Sequence, residues 1–223
     1  RGLTPGREKS IPSAVVHQTI AVSRAKLTHS ITVQIDAVQG ELKEVALALS
    51  GAGEMTRVTS DGLEHWSVRR APDGARSLVL RVKTADKPVK SLVVEAAAET
   101  ALGDLPQTVA PLALIGEPAS LSHGCVRIDT PSEFTIQVVN PAGVAPIESK
   151  FLPESLRPVV TPGAPETLAF RFHGTPYSLP LTIEAADPES SRVVLGQFRL
   201  RGRLSGDTAE FTLGAVARVK NPK

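Results

Sequence analysis

The sequence predicts an all-β chain of sandwich-like architecture with little or no helix. Three observations carry that expectation. Apolar residues recur at every second position in one segment after another, the period of a strand with a single buried face. Gly, Pro, Asp and Ser turn signals interrupt these segments at intervals of about ten residues, as in sandwiches and Greek-key domains. No helical pattern separates the segments, so the crossovers of a βαβ fold have nothing to be built from.

Taken in order, residues 1–12 are polar with Gly and Pro and read as a leader or linker. Strands begin beyond them. In His29 to Ile35, Ile31, Val33 and Ile35 alternate with polar neighbours, and Val45, Leu47 and Leu49 do the same within 42–50. Asp61-Gly62 and Asp73-Gly74 offer the positive φ that tight hairpins require, which predicts a three-strand meander over 55–84. In that meander Trp66, Val68, Leu78, Leu80 and Val82 point inward. Residues 91–98 are a further strand. Residues 99–121 carry Gly103, Pro106, Pro111 and Gly116 and mark the expected domain boundary or a long crossover. Val126 and Ile128, then Phe134, Ile136 and Val138, suggest a hairpin pivoting on 129–132. The Pro-rich stretch 141–165 is mostly loop, and the last third alternates again. The expected organisation is two immunoglobulin-like or related β-sandwich domains, 13–103 and 104–223.

Composition narrows function. Hydrophobic residues at 41% and charged residues at 22% suffice for a packed core and are too apolar for a disordered chain. Aromatics at 4% leave few rings for stacking sugars or single-stranded bases. The net charge of +2, from 25 basic and 23 acidic residues mixed along the chain, offers no phosphate-binding surface, so nucleic acid is not an expected partner. One cysteine excludes an internal disulfide and a cysteine-rich zinc site. No apolar run approaches the roughly 18 residues of a membrane span, and the first residue is Arg1, so the chain is expected to be an excised piece.

One string resembles a catalytic motif: SHGCVR, Ser122 to Arg127. It is similar to the active-site signature of the L,D-transpeptidases, envelope enzymes that cross-link peptidoglycan through a cysteine acyl-enzyme. That resemblance implies Cys125 as nucleophile, with His123 and Arg127 beside it. The chemistry needs a thiolate and a base to take its proton. The family's base is a histidine some fifteen residues upstream, and no His stands between His65 and His123. The family's helix after the cysteine also lacks a counterpart, because Asp129 to Asn140 contains Pro131. As a strand, the same letters place His123, Cys125 and Arg127 in a row on one face and Val126 and Ile128 on the other.

His123 and Cys125 could also supply two metal ligands, but any further ligand would have to come from His17, His29, His65 or His173, at no recognisable spacing. No metal and no cofactor is expected. Arg199, Arg201 and Arg203 alternate with Phe198, Leu200 and Leu204, which places three guanidinium groups on one strand face, either solvated or a docking patch for an acidic partner or anionic polymer.

A broader resemblance rests on WSVRR, its Gly-containing turn and SLVLRVK, followed by TLAFRFHGTPYSLPLTIEA. These runs look like the β-rich modules of large bacterial cell-envelope proteins. The resemblance implies a scaffolding or interaction part with an extracytoplasmic location. The expected function is a non-catalytic binding, spacer or assembly module of a larger secreted or envelope protein, its partner a protein or an envelope polymer. The alternative is acyl transfer on peptidoglycan peptides by Cys125.

Overall fold

The computed structural model describes residues 10–83, 88–158, 166–186, 193–205 and 208–219. The strands are β1 (Ile11–Val22), β2 (Lys26–Gln39), β3 (Glu44–Ser50), β4 (Glu54–Thr59), β5 (Leu63–Arg70), β6 (Arg76–Val82), β7 (Ser91–Ala101) and β8 (Gln107–Val109). They continue with β9 (Ala113–Gly116), β10 (Ser122–Thr130), β11 (Phe134–Val138), β12 (Val144–Pro146), β13 (Glu166–His173), β14 (Leu181–Ala185), β15 (Val193–Ser205) and β16 (Thr208–Val219). Helical structure among the described residues is confined to three-residue 3-10 turns at Ala119–Leu121, Ser149–Phe151 and Glu154–Leu156. The chain is all-β and sandwich-like, as the alternation predicts.

Two compact units are distinguished, residues 1–185 and residues 186–223. The second is an antiparallel hairpin of β15 and β16, with Arg199, Arg201 and Arg203 opposite Gly214, Thr212 and Glu210. The first contains a seven-stranded sheet in the order β12-β13-β10-β1-β2-β7-β4, a four-stranded sheet β5-β6-β3-β9 and a three-stranded sheet β11-β14-β8.

Period-two burial assembles the first unit. In β2 the buried positions are Leu27, His29, Ile31, Val33 and Ile35, with exposed Thr28, Ser30, Thr32 and Gln34 between them. The inward rows of the large sheet, among them Val16, Ile31, Val94 and Ile128, join Leu47, Leu80 and Leu114 of the four-stranded sheet and Phe134 and Ile183 of the three-stranded sheet in one apolar cluster. A one-residue slip of any strand would turn its apolar row out to water, so burial fixes the register.

The structure corrects three sequence expectations. The division between 103 and 104 falls inside the first unit, because strands from both sides pair across it. β1 runs parallel to β10, with Val16 opposite Gly124 and Ile20 opposite Ile128, and β3 pairs with β9. Parallel neighbours need a long crossover, and residues 23–121 supply it. The meander over 55–84 is in part a change of sheet. β4 pairs with β7 at the edge of the large sheet, while β5 pairs with β6 in the other sheet. Asp61-Gly62 is therefore a corner, and Gly62 is not among the positive-φ residues. The second turn does close a hairpin: Gly74 adopts φ 87°, and Asp73 Oδ1 accepts from the Ala75 N–H at 3.0 Å. Finally, β10 and β11 are not hairpin partners, since β10 lies between β1 and β13 whereas β11 pairs with β14.

Candidate functional site

SHGCVR is a strand, and its position in the sheet accounts for most of its letters. β10 has neighbours on both sides, β1 and β13. Ser122 is buried, and its Oγ accepts the Gly116 N–H at 2.9 Å. Gly124 faces inward where β1 and β13 crowd it: a Cβ there would collide with the Val16 carbonyl oxygen and lie 2.9 Å from Cζ of Phe172. Val126 is a core residue. Arg127 makes a bidentate pair with Asp129, Nε to Oδ1 and Nη2 to Oδ2 at 2.7 Å each, and donates through Nη1 to the Leu156 carbonyl at 3.0 Å. The bonds to Asp129 hold its guanidinium above its usual pKa. Its donors are committed to Asp129 and the chain above it, not to the cysteine.

His123 and Cys125 remain, on the outer face of the large sheet. Three strands place side chains in rows across this face. His17 of β1, Cys125 and Arg171 of β13 form one row, and Val15, His123 and His173 form the next. The 3-10 turns of residues 149–156 lie over part of it. Leu152 and Leu156 pack on Ala169, and Cys125 and Ile147 join that small apolar cluster. Burial pushes the thiol pKa up, with the Arg171 guanidinium acting as a weaker opposing influence. Among the described residues no hydrogen bond joins the sulfur to an imidazole. Burial likewise lowers the His17 pKa, and the neighbouring His123 lowers it further. The pair across β1 and β10 is thus a neutral thiol beside a neutral ring, the reverse of the thiolate–imidazolium state that makes a cysteine nucleophilic.

The structure therefore brings His123 and Cys125 together with His17 and His173, and ties Arg127 elsewhere. Residues 17 and 173 are 106 and 50 positions from His123, so chain spacing gives no hint of the gathering; only the β1–β10 and β10–β13 registers create it. Asp129, the partner of Arg127, is two residues further along the same strand face, a period-two relation the sequence does display. The docking patch expected at Arg199, Arg201 and Arg203 lies outside the described side chains.

A second polar constellation lies inside the unit. Tyr177 Oη donates to Gln18 Oε1 at 2.9 Å, and Gln18 Nε2 donates to the Leu112 carbonyl at 2.8 Å and to His29 Nδ1 at 2.9 Å. An amide nitrogen only donates, so His29 carries its proton on Nε2, which donates to Thr100 Oγ1 at 2.9 Å. Thr100 in turn donates to the Ala52 carbonyl at 2.7 Å. Gln18 and His29 are completely buried. Desolvation lowers the His29 pKa to about 4 and raises that of the Tyr177 phenol. This run of hydrogen bonds satisfies the buried polar groups of Gln18, His29, Thr100 and Tyr177, so its contribution is to the fold.

No family model matches the sequence, and no curated protein matches it. Solved structures with similarity include an M1 zinc metallopeptidase from Deinococcus radiodurans, at 10% identity over 91% of this chain and 47% of that one, with a TM-score of 0.41. Native leukotriene A4 hydrolase from Saccharomyces cerevisiae is similar at 10% identity over 90% of this chain and 31% of that one, with a TM-score of 0.47. The chain spans less than half the length of the first protein and less than a third of the second.

Proposed function

We propose that this chain is a non-catalytic binding, spacer or assembly module of a larger secreted or cell-envelope protein, with a protein or an envelope polymer as its partner. The observation that carries this reading is the state of SHGCVR. Ser122, Gly124, Val126 and Arg127 each have a folding task, and Cys125 is a protonated thiol sharing an apolar cluster with Leu152, Leu156 and Ala169. A string so occupied by strand packing needs no catalytic role to explain it. The contact surface in this reading is a sheet edge. β4 and β12 end the seven-stranded sheet, and an extended partner segment can add to the backbone groups of such an edge.

One observation favours a second reading, cysteine-dependent acyl transfer: His17 stands directly opposite Cys125 in the β1–β10 register. Alkylation separates the two. Iodoacetamide at pH 7.5 should label Cys125 about tenfold more slowly than free cysteine, because the buried thiol ionises less. Labelling faster than free cysteine, with a covalent acyl adduct on Cys125 after exposure to a peptidoglycan tetrapeptide donor, would replace the module reading with the enzymatic one.

A further inference from the structure

The outer face of β1, β10 and β13 collects side chains that neither the fold nor the module reading uses. Of five histidines in the chain, His29 is locked in the core and His65 is exposed on β5 in the other sheet, while His17, His123 and His173 share this one face. His123 and His173 sit directly opposite each other on antiparallel strands, where Cβ atoms are about 5 Å apart. Their ring centroids are 5.9 Å apart and their planes are inclined by 47°.

That separation is close to what one metal ion requires. With metal–nitrogen bonds of about 2 Å, an ion lies about 3 Å from each imidazole centre, and two rings on a tetrahedral ion have centres about 5 Å apart. A modest rotation of two exposed rings closes the difference. His17 lies two positions along the same face, opposite Cys125 in the β1–β10 register.

We propose that His123 and His173 form a two-imidazole clamp for a divalent transition-metal ion, Zn2+, Cu2+ or Ni2+, which His17 completes as third donor. Among the described residues no three His, Cys, Asp or Glu side chains are already gathered around one point, so the third ligand arrives by rotation of the half-buried His17 ring. Imidazole donors suit these ions, and the absence of a carboxylate from the two rows disfavours Ca2+ and Mg2+. Cys125 is not a ligand here. Its side chain packs in the apolar cluster of Leu152, Leu156 and Ala169, and Arg171 opposite it disfavours a cation near the sulfur.

The test uses the untagged full chain, titrated calorimetrically with Ni2+ and with Zn2+ at pH 7.5. One saturable site is expected. His123→Asn and His173→Asn, both at exposed positions, should each weaken it roughly tenfold or more, whereas His65→Asn should leave it unchanged. Arg171→Gln should tighten it a few-fold by removing a nearby positive charge. With Cu2+, the electron paramagnetic resonance spectrum should show coupling to imidazole nitrogens, losing one in His17→Asn. Failure of saturable binding, or unchanged affinity in the His123→Asn/His173→Asn double variant, would overturn the site. An unchanged nitrogen count in His17→Asn would overturn the third ligand.

Discussion

The inside and the outside of the seven-stranded sheet treat histidine in opposite ways. His29, on the inner face, has both ring nitrogens bonded, to Gln18 and to Thr100, in a chain running from Tyr177 to Ala52. His17, His123 and His173, on the outer face, have no side-chain hydrogen bond among the described residues, and two of them are exposed. The difference separates a group consumed by folding from groups left over by it. Burial demands that every polar atom be satisfied, which fixes the tautomer of His29 and leaves it nothing to offer a ligand. The outer face makes no such demand, so its rings remain available.

The sharpest way to break this comparison is to remove the inner ring. His29→Ala should destabilise the protein by about 3–4 kcal/mol, combining an internal cavity with the loss of two hydrogen bonds and a buried Gln18 donor left unpaired. His123→Ala should cost less than about 0.5 kcal/mol, as an exposed position without a partner. Urea denaturation of the two variants measures both. If the costs are similar, the inner chain does not hold the fold together as its geometry implies.

Acid should act through the same residue. The unfolded chain protonates His29 near the usual value of 6.5, while the folded protein resists protonation until about pH 4. Above pH 6.5 the ring is neutral in both states and contributes no pH dependence. As pH falls from 6.5 towards 4 the unfolded state binds the extra proton, and stability declines by up to about 3 kcal/mol. Protonation also removes the acceptor that Gln18 needs. In His29→Gln this part of the pH slope should vanish, leaving only the contribution of the carboxylates at lower pH. Stability measured in urea at a series of pH values for both proteins would show it, and parallel curves would mean that His29 is solvated before the protein unfolds.

How much of this was legible in the sequence depends on whether the information is local. Alternation in β2, β3 and β7 reports a buried face directly, so the strands and their inward residues follow from the residues themselves. Strand partners are another matter. Nothing in β4 says that its neighbour is β7 rather than β5, because an Asp-Gly pair serves equally at a corner and at a hairpin. The expected boundary near residue 103 failed for the same reason: Gly and Pro marked an irregular crossover, and only the parallel β1–β10 pairing shows that one unit spans it. At the site, Cys125, His123 and Arg127 could be found on one strand face by counting in twos. His17 and His173 could not, since their proximity is a property of register between strands. The role of Gly124 was equally hidden, as it depends on how closely the Val16 carbonyl approaches.

A smaller effect than that of removing His29 concerns Arg127, which joins the strand to its cover. Arg127 and Asp129 are largely shielded from water, at 19% and 15% side-chain exposure, and the same guanidinium holds the Leu156 carbonyl. Asp129→Asn should cost about 2 kcal/mol, because it removes the carboxylate that compensates a partly buried cation. The loss should be concentrated above the sheet, where Leu152 and Leu156 pack on Ala169, rather than in the inner chain around His29. Hydrogen exchange distinguishes the two regions. Faster exchange at the Leu152 and Leu156 amides with unchanged exchange at Gln18 and His29 would make the cover a separately opening layer, and Cys125 should then become easier to alkylate. Equal loss at both places would join the outer layer to the core as one cooperative unit.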